Sequence, residues 1–261
     1  MMKLTVLGLA LEPPSESLLG SLSAVFDQFE GWDMFVCSPK GTSVEGAEMV
    51  RQPNRLPTKQ YQRMAVLRNA VLKAWRSAVA EGDVVLWIDM DCAGFSKTDG
   101  LELLKSDESW DAVATFGLKE WDETNGSHPG PWMPCADGIK RCYFDIVAYE
   151  SVNGTRHIWK NSTEDLWRSS GRIPSHCCVS KQALPVWGDD LGWDRVHSAF
   201  GPACFYRPSS ISGLWYDEQT NQCEHQGFHQ AMRESGRGNI FLAHDIVTHY
   251  DRLPKLEAVT T

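Results

Sequence analysis

Short apolar runs alternate with stretches of helical periodicity through the first third of the chain. Residues 3–11 read as a first strand, with Leu4, Val6, Leu7 and Leu9 in it. From Ser15 to Phe29 apolar residues fall at Leu18, Leu19, Leu22, Val25, Phe26 and Phe29. That is the spacing of a helix with one buried face, and Gly31 ends it. Asp33–Cys37 reads as a second strand. A polar segment containing Gly and Pro, Ser38 to Pro57, leads to a long helix from Thr58 to Val79 carried by Met64, Leu67, Val71, Leu72 and Trp75. Gly82 closes it. Val84–Ile88 is β-branched and apolar at successive positions, which predicts a strand covered on both faces and central in its sheet. Thr98 to Leu104 then reads as helical and Trp110 to Phe116 as another buried strand. Strands separated by helices in this way predict βαβ units and a mainly parallel sheet, hence an α/β fold.

From Gly117 to Asp190 the periodicity is weak except around Cys142–Tyr149 and Cys177–Val186, and the segment is rich in Trp, Gly, Pro and His. Ordered stretches of this kind build binding surfaces on a rigid scaffold. Regular patterning returns with Ala203–Tyr206, a helix over Glu224–Glu234, and a strand at Ile240–Ala243. There is no internal repeat and no low-complexity tail, so residues 1–261 read as a single domain.

Composition narrows the function classes. With 25 Lys and Arg against 34 Asp and Glu, the net charge is −9, which excludes a generally basic nucleic-acid binder. The apolar stretch Leu4–Leu11 falls well short of the roughly 20 residues that span a bilayer, so no transmembrane segment is expected. Lys3 before it gives the look of a secretory leader, yet Glu12-Pro13-Pro14 follows with no small-residue cleavage site. The eight cysteines (Cys37, Cys92, Cys135, Cys142, Cys177, Cys178, Cys204, Cys223) are scattered without metal-type spacing. They are expected to be free thiols in a reducing, cytoplasmic compartment. Sequons at Asn125, Asn153 and Asn161 matter only in a secreted chain. Of eleven tryptophans, Trp121, Trp132, Trp159, Trp167, Trp187, Trp193 and Trp215 fall in the poorly patterned half. They either stack on sugar rings in an acceptor cleft or pack a core. Asp189, Asp190 and Asp194 either bind acceptor hydroxyls or form a solvated loop.

The sharpest chemical feature is Asp89-Met90-Asp91, directly after the strand predicted to be central. The crevice at the carboxyl ends of strands is where open α/β sheets bind ligands. Two carboxylates one residue apart, on a strand leaving the sheet, can aim at one divalent cation, and oxygen ligands suit Mg²⁺ or Mn²⁺. The bland alternative is a solvated turn or a helix cap.

Arg63, then Arg68-Asn69, then the Val84–Ser96 run with Asp89-Met90-Asp91 and Phe95-Ser96, together resemble nucleotide-sugar glycosyltransferases of the GT-A fold. The resemblance is to the glycosyltransferases of large algal viruses and the fungal capsule-associated mannosyltransferase group. It implies a Rossmann-like single domain, with a mixed, mainly parallel sheet flanked by helices. Residues 1–116 would form the nucleotide-binding half and 117–261 the acceptor-binding half. By the same resemblance Asp91 holds a metal on the nucleotide diphosphate, and Asp89 touches the metal or the donor's ribose and sugar hydroxyls. Arg63, Arg68 and Asn69 are donor-side candidates; otherwise Arg68 is a surface residue and Asn69 a local hydrogen-bonder. Ser198–Tyr206 resembles the donor-side loop of these enzymes, with Gly201 either approaching the ligand or making an ordinary turn before Pro202. Glu224-His225 stands where inverting members carry the base that activates the acceptor. Either residue fits that role, since this chain has Glu-His where many members have Glu-Asp. His249, or failing it His244, aligns with the histidine that completes the metal site.

The expectation is therefore a metal-dependent transferase, using Mn²⁺ or Mg²⁺, that moves a sugar from a UDP- or GDP-linked donor to a carbohydrate hydroxyl in glycan synthesis, here of viral type. A non-catalytic sugar-binding module and an aspartate-dependent phosphohydrolase are the alternatives. The phosphohydrolases carry their Asp-x-Asp on the first strand, whereas two strand and helix units precede it here.

Overall fold

The computed structural model describes residues 2–38, 42–78, 82–105, 110–120, 133–134, 140–143, 148–152 and 193–250. The chain opens with β1 (Lys3–Leu9), α1 (Glu16–Phe26), β2 (Gly31–Cys37), β3 (Glu48–Val50), α2 (Gln60–Ser77) and β4 (Val84–Asp89). It continues with β5 (Gly94–Thr98), α3 (Leu101–Leu104), β6 (Ala112–Glu120), β7 (Met133–Pro134), β8 (Lys140–Tyr143) and β9 (Glu150–Ser151). The last part holds β10 (Trp193–Ser198), β11 (Ala203–Tyr206), α4 (Pro208–Ile211), α5 (Glu224–Glu234) and β12 (Ile240–His249).

These twelve strands share one sheet, whose main path runs β3-β2-β1-β4-β11-β6-β12-β10-β9. β1 pairs in parallel with β2 and β4, β2 with β3, and β6 with β12. β11 is antiparallel to both β4 and β6, so β6 and β12 run in the same direction as β1 to β4. The sheet is mixed and mainly parallel in direction, as the alternating pattern predicted.

Strand parity sorts the core. Leu7, Leu9, Phe35, Val85 and Trp87 point to the face covered by α2 and α5, where they meet Leu67, Val71, Leu72, Phe228 and Met232. Leu4, Val6, Met34, Leu86 and Ile88 point to the opposite face, covered by α1 through Leu18, Leu22 and Val25. Ser15 caps α1, its side chain accepting from the Leu18 backbone N–H, and Glu16 complements the positive end of the helix. On α2 the buried stripe is Ala65, Leu67, Arg68, Asn69, Val71, Leu72 and Trp75. Two polar residues therefore share the face that packs on the sheet.

The expectation of a helix over residues 98–104 needs correction. Gly94–Thr98 is a strand pairing with β12, and only Leu101–Leu104 is helical. A short strand, β3, lies within the segment read as irregular, and β10 begins just beyond the poorly patterned stretch. Among the described residues Cys37, Cys92 and Cys204 are free, buried thiols, as expected, and Cys223 is buried too. Trp121, Trp132, Trp159, Trp167, Trp187, Asp189, Asp190, Cys135, Cys177, Cys178, the side chain of Cys142, the three sequons and the 177–186 pattern lie outside the described residues. Among the described residues no helix is long and apolar enough to cross a membrane.

Candidate functional site

The chain builds β1, β2 and β3 to one side, then returns to add β4 on the other side of β1. The strand order therefore reverses between β1 and β4, and the crevice beyond their carboxyl ends is where sheets of this kind take ligands. Asp89 is the last residue of β4. The Met90 N–H donates to the Leu9 carbonyl at 2.8 Å, which closes the gap between the two strand ends. On the other flank the Asp89 N–H donates to Pro202 O at 2.9 Å, so the Gly201-Pro202 turn stands beside the motif.

Asp89 shares strand parity with Val85 and Trp87, so its side chain lies on the α2 and α5 face. There Arg68 reaches it from α2. Its Nη2 donates to Asp89 Oδ1 at 2.9 Å, and its Nε donates to Glu224 Oε1, at the start of α5, at 3.2 Å. The guanidinium is 1% exposed and lies 5.5 Å from the Trp87 ring, 5.0 Å from Phe200 and 5.8 Å from Tyr216. Burial disfavours its charge, but the carboxylates of Asp89 and Glu224 outweigh that and raise its pKa above the ordinary value. Arg68 is thus not a surface residue. It ties the strand that carries the aspartates to the helix that carries the glutamate.

Asp89 keeps 24% of its side chain exposed, and its second oxygen has no partner among the described residues. Asp91 is half-buried and makes no ion pair among the described residues. Burial, and then the neighbouring Asp89 charge, push its pKa up to about 6. A carboxylate penalised in this way gains from a cation placed against it, and one or two carboxylates plus substrate phosphates is the usual protein share of a Mg²⁺ site.

Glu224 is almost fully buried. Burial raises its pKa, against the lowering influence of Arg68. His225 stacks on Phe200 with ring centroids 3.6 Å apart; its Nε2 lies 3.7 Å from Glu224 Oε1, and neither ring nitrogen has a hydrogen-bond partner among the described residues. Burial, then the Arg68 and His229 charges, hold His225 well below the ordinary histidine pKa, so its imidazole is neutral.

Other candidates sit differently. Arg63 is on the exposed face of α2, away from the Arg68 stripe. Asn69 clamps the loop after α4: its Nδ2 donates to Tyr216 O and Glu218 Oε1, and its Oδ1 accepts the Tyr216 N–H, each at 2.9 Å. Gly201 has φ +59°, and a Cβ there would stand 2.6 Å from Thr115 O, so close packing on β6 requires the glycine. His249 accepts the Ala93 N–H at its carbonyl, two residues past Asp91, while its Nε2 lies 2.8 Å from Ser96 Oγ. His244 Nε2 pairs with Asp194 Oδ2 at 3.0 Å, which also places Asp194. Among the described residues no three His, Cys, Asp or Glu side chains gather into a metal-holding group. The structure therefore brings Asp89, Arg68 and Glu224 together, with Asp91 and His225 adjoining. It holds the His249 backbone against the turn after Asp91, leaves Arg63 exposed on α2, and engages Asn69 with the 216–218 loop and His244 with Asp194.

Of the rings that wall the Arg68 guanidinium, Trp87 and Phe200 lie in segments on which the resemblance rests, while Tyr216 carried no functional signal in the sequence. Apolar patterning marks Trp87 only as core, and Tyr216 lies in a loop without periodicity.

The fold is the GT-A fold. Among solved structures the chain is similar to GalNAc-T7, solved with UDP, GalNAc and Mn²⁺, with a TM-score of 0.51 at 9% identity, covering 98% of this chain and 45% of that one. It is similar to S. aureus TarS 1–349, solved in complex with UDP, with a TM-score of 0.47 at 14% identity over 95% of this chain and 60% of that one. It is also similar to A197 from STIV, with a TM-score of 0.43 at 10% identity over 98% of both chains. The chain thus spans less than two thirds of the length of the first two. By sequence it matches no family model and none of the curated proteins.

Proposed function

We propose that this chain is a metal-dependent glycosyltransferase that moves a sugar from a nucleotide-sugar donor to a carbohydrate hydroxyl. The observation that carries the reading is Asp91. It is a half-buried carboxylate without an ion-pair partner among the described residues, beside a partly exposed Asp89, at the point where the strand order of a GT-A sheet reverses. GalNAc-T7, which shares this fold, was solved with UDP and Mn²⁺, and that supports a UDP-linked donor and a divalent cation.

In this reading Asp91 and the free oxygen of Asp89 hold Mn²⁺ or Mg²⁺. The bound cation supplies positive charge to the diphosphate that departs as the glycosidic bond breaks. Arg68 fixes the other Asp89 oxygen and so sets the direction of the free one. Glu224 takes the proton of the acceptor hydroxyl; burial moves its pKa upward from the usual carboxylate range, toward the values useful to a general base at neutral pH. His225, neutral beside it, is the alternative base. Residues 1–116 form the donor half and 117–261 the acceptor half of one domain. The free, buried thiols support a reducing, cytoplasmic compartment.

A screen of UDP- and GDP-sugars for donor hydrolysis, with and without Mn²⁺, tests this. The expected result is turnover of one donor that stops on chelation and is lost in Asp91→Asn while the fold is retained. Unchanged turnover in Asp91→Asn removes the metal assignment.

A further inference from the structure

A groove of about 1090 Å³ lies along the side of α2, between the segment 50–57 and the loop 215–218. Small-molecule sites occupy roughly 300–1,000 Å³, so this one has room for more than one sugar ring. Arg51, Arg55 and Lys73 line it, and none of the three has an ion-pair partner among the described residues. Glu218, the acidic residue of the lining, already accepts the Asn69 amide at 2.9 Å. Three cations against this one carboxylate thus collect in one groove of a chain whose net charge is −9. Trp215, also in the lining, is 48% exposed. It is held in place by Arg76, whose guanidinium stands 4.4 Å from the ring centroid and donates to the Ile211 and Leu214 carbonyls at 2.7 Å. A fixed, half-exposed indole offers an apolar face to a sugar ring, and the cations select for negative charge.

We infer that this groove binds an anionic saccharide, charged through carboxylate or phosphate groups, as the acceptor of the transferase. The assignment rests on the transferase reading for the word acceptor. Tyr216 joins the two places: it lines the groove, and its ring lies 5.8 Å from the Arg68 guanidinium and 5.7 Å from the His225 ring. The number of cations favours a saccharide over a nucleic acid. Tight binding to nucleic acid draws on roughly 6–10 phosphate contacts, whereas a short saccharide charged on alternate units needs few.

Calorimetric titration of the whole chain with three probes tests this: a hyaluronan hexasaccharide for carboxylates, pentamannose 6-phosphate for phosphate, and neutral maltohexaose. Either acidic probe should bind about tenfold more tightly than the neutral one, and the triple substitution Arg51→Gln, Arg55→Gln, Lys73→Gln should remove that advantage. Trp215→Ala should weaken both classes, and Mn²⁺-linked UDP binding should be the same in all variants. Equal affinity for neutral and acidic probes, no effect of the triple substitution, or tighter binding of a single-stranded oligothymidylate overturns the assignment. If UDP binding fails while acidic saccharides still bind through these residues, the transferase reading falls and the saccharide groove stands. If UDP binds and no acidic probe does, the groove assignment falls alone.

Discussion

Arg68 shows how one side chain can hold a site together. It is 1% exposed, paired to Asp89 and Glu224, and boxed by three aromatic rings. Arg68→Met would leave two carboxylates in a poorly solvated place without their counter-charge. Breaking a buried pair from one side costs about 3–5 kcal/mol, and urea denaturation should show a loss of that order. Arg68→Lys should not restore it, because one ammonium cannot reproduce the fork that spans both partners. His229 gives the residue-level prediction for pH. It is fully buried, with Ser198 Oγ at its Nδ1 and Tyr206 Oη at its Nε2, both at 2.9 Å. Burial, then Arg233, lower its pKa to about 3. The unfolded chain takes up this proton near the ordinary histidine value of about 6.5, while the folded chain resists it down to about 3. The stability that His229 provides is therefore complete above about pH 6.5 and is lost as pH falls below it, by about 2 kcal/mol at pH 5. His229→Gln should reduce the slope of stability against pH by about one proton between pH 6 and 4. A slope equal to that of the parent protein contradicts the assignment.

Elements explain why some of this was legible in advance. The period of α2 fixes its buried face, and Arg68 shares that face with Ala65, Leu72 and Trp75, so its burial was implicit in the helical phase. The alternation along β4 likewise puts Asp89 on the Trp87 side, toward α2. Sequence patterning cannot supply the partner from α5, because the pairing of Arg68 with Glu224 spans 156 positions and depends on how β11 and β6 insert between the halves. β5 was not anticipated because Gly94–Thr98 has little apolar content of its own and becomes a strand through pairing with β12. Gly201 reads from the sequence either as a donor-side residue or as an ordinary turn, and the structure adds a packing reason for it. At φ +59° and 2.6 Å from Thr115 O, an added methyl group is both strained and crowded. Gly201→Ala should destabilise the chain by about 2–4 kcal/mol in thermal or urea unfolding. A neutral substitution would mean that the β11 and β6 contact yields easily.

At the scale of the whole molecule, the α/β class and the mainly parallel direction followed from the first 116 residues, where strand and helix periods alternate cleanly. The reversal of strand order between β1 and β4 did not, since order within a sheet is set by which edges meet. That reversal turns Asp89 and Asp91 from a common Asp-x-Asp pattern into a candidate cation site beside the crevice where such sheets take ligands. The account stands on those two carboxylates gripping a metal that carries a nucleoside diphosphate. The direct measurement is calorimetric titration of UDP and GDP into the chain, with and without Mn²⁺, for the parent protein and Asp91→Asn. The account predicts saturable binding of one nucleotide that requires Mn²⁺ and disappears in Asp91→Asn at unchanged thermal stability. Binding that is indifferent to Mn²⁺, or that survives the substitution, contradicts it.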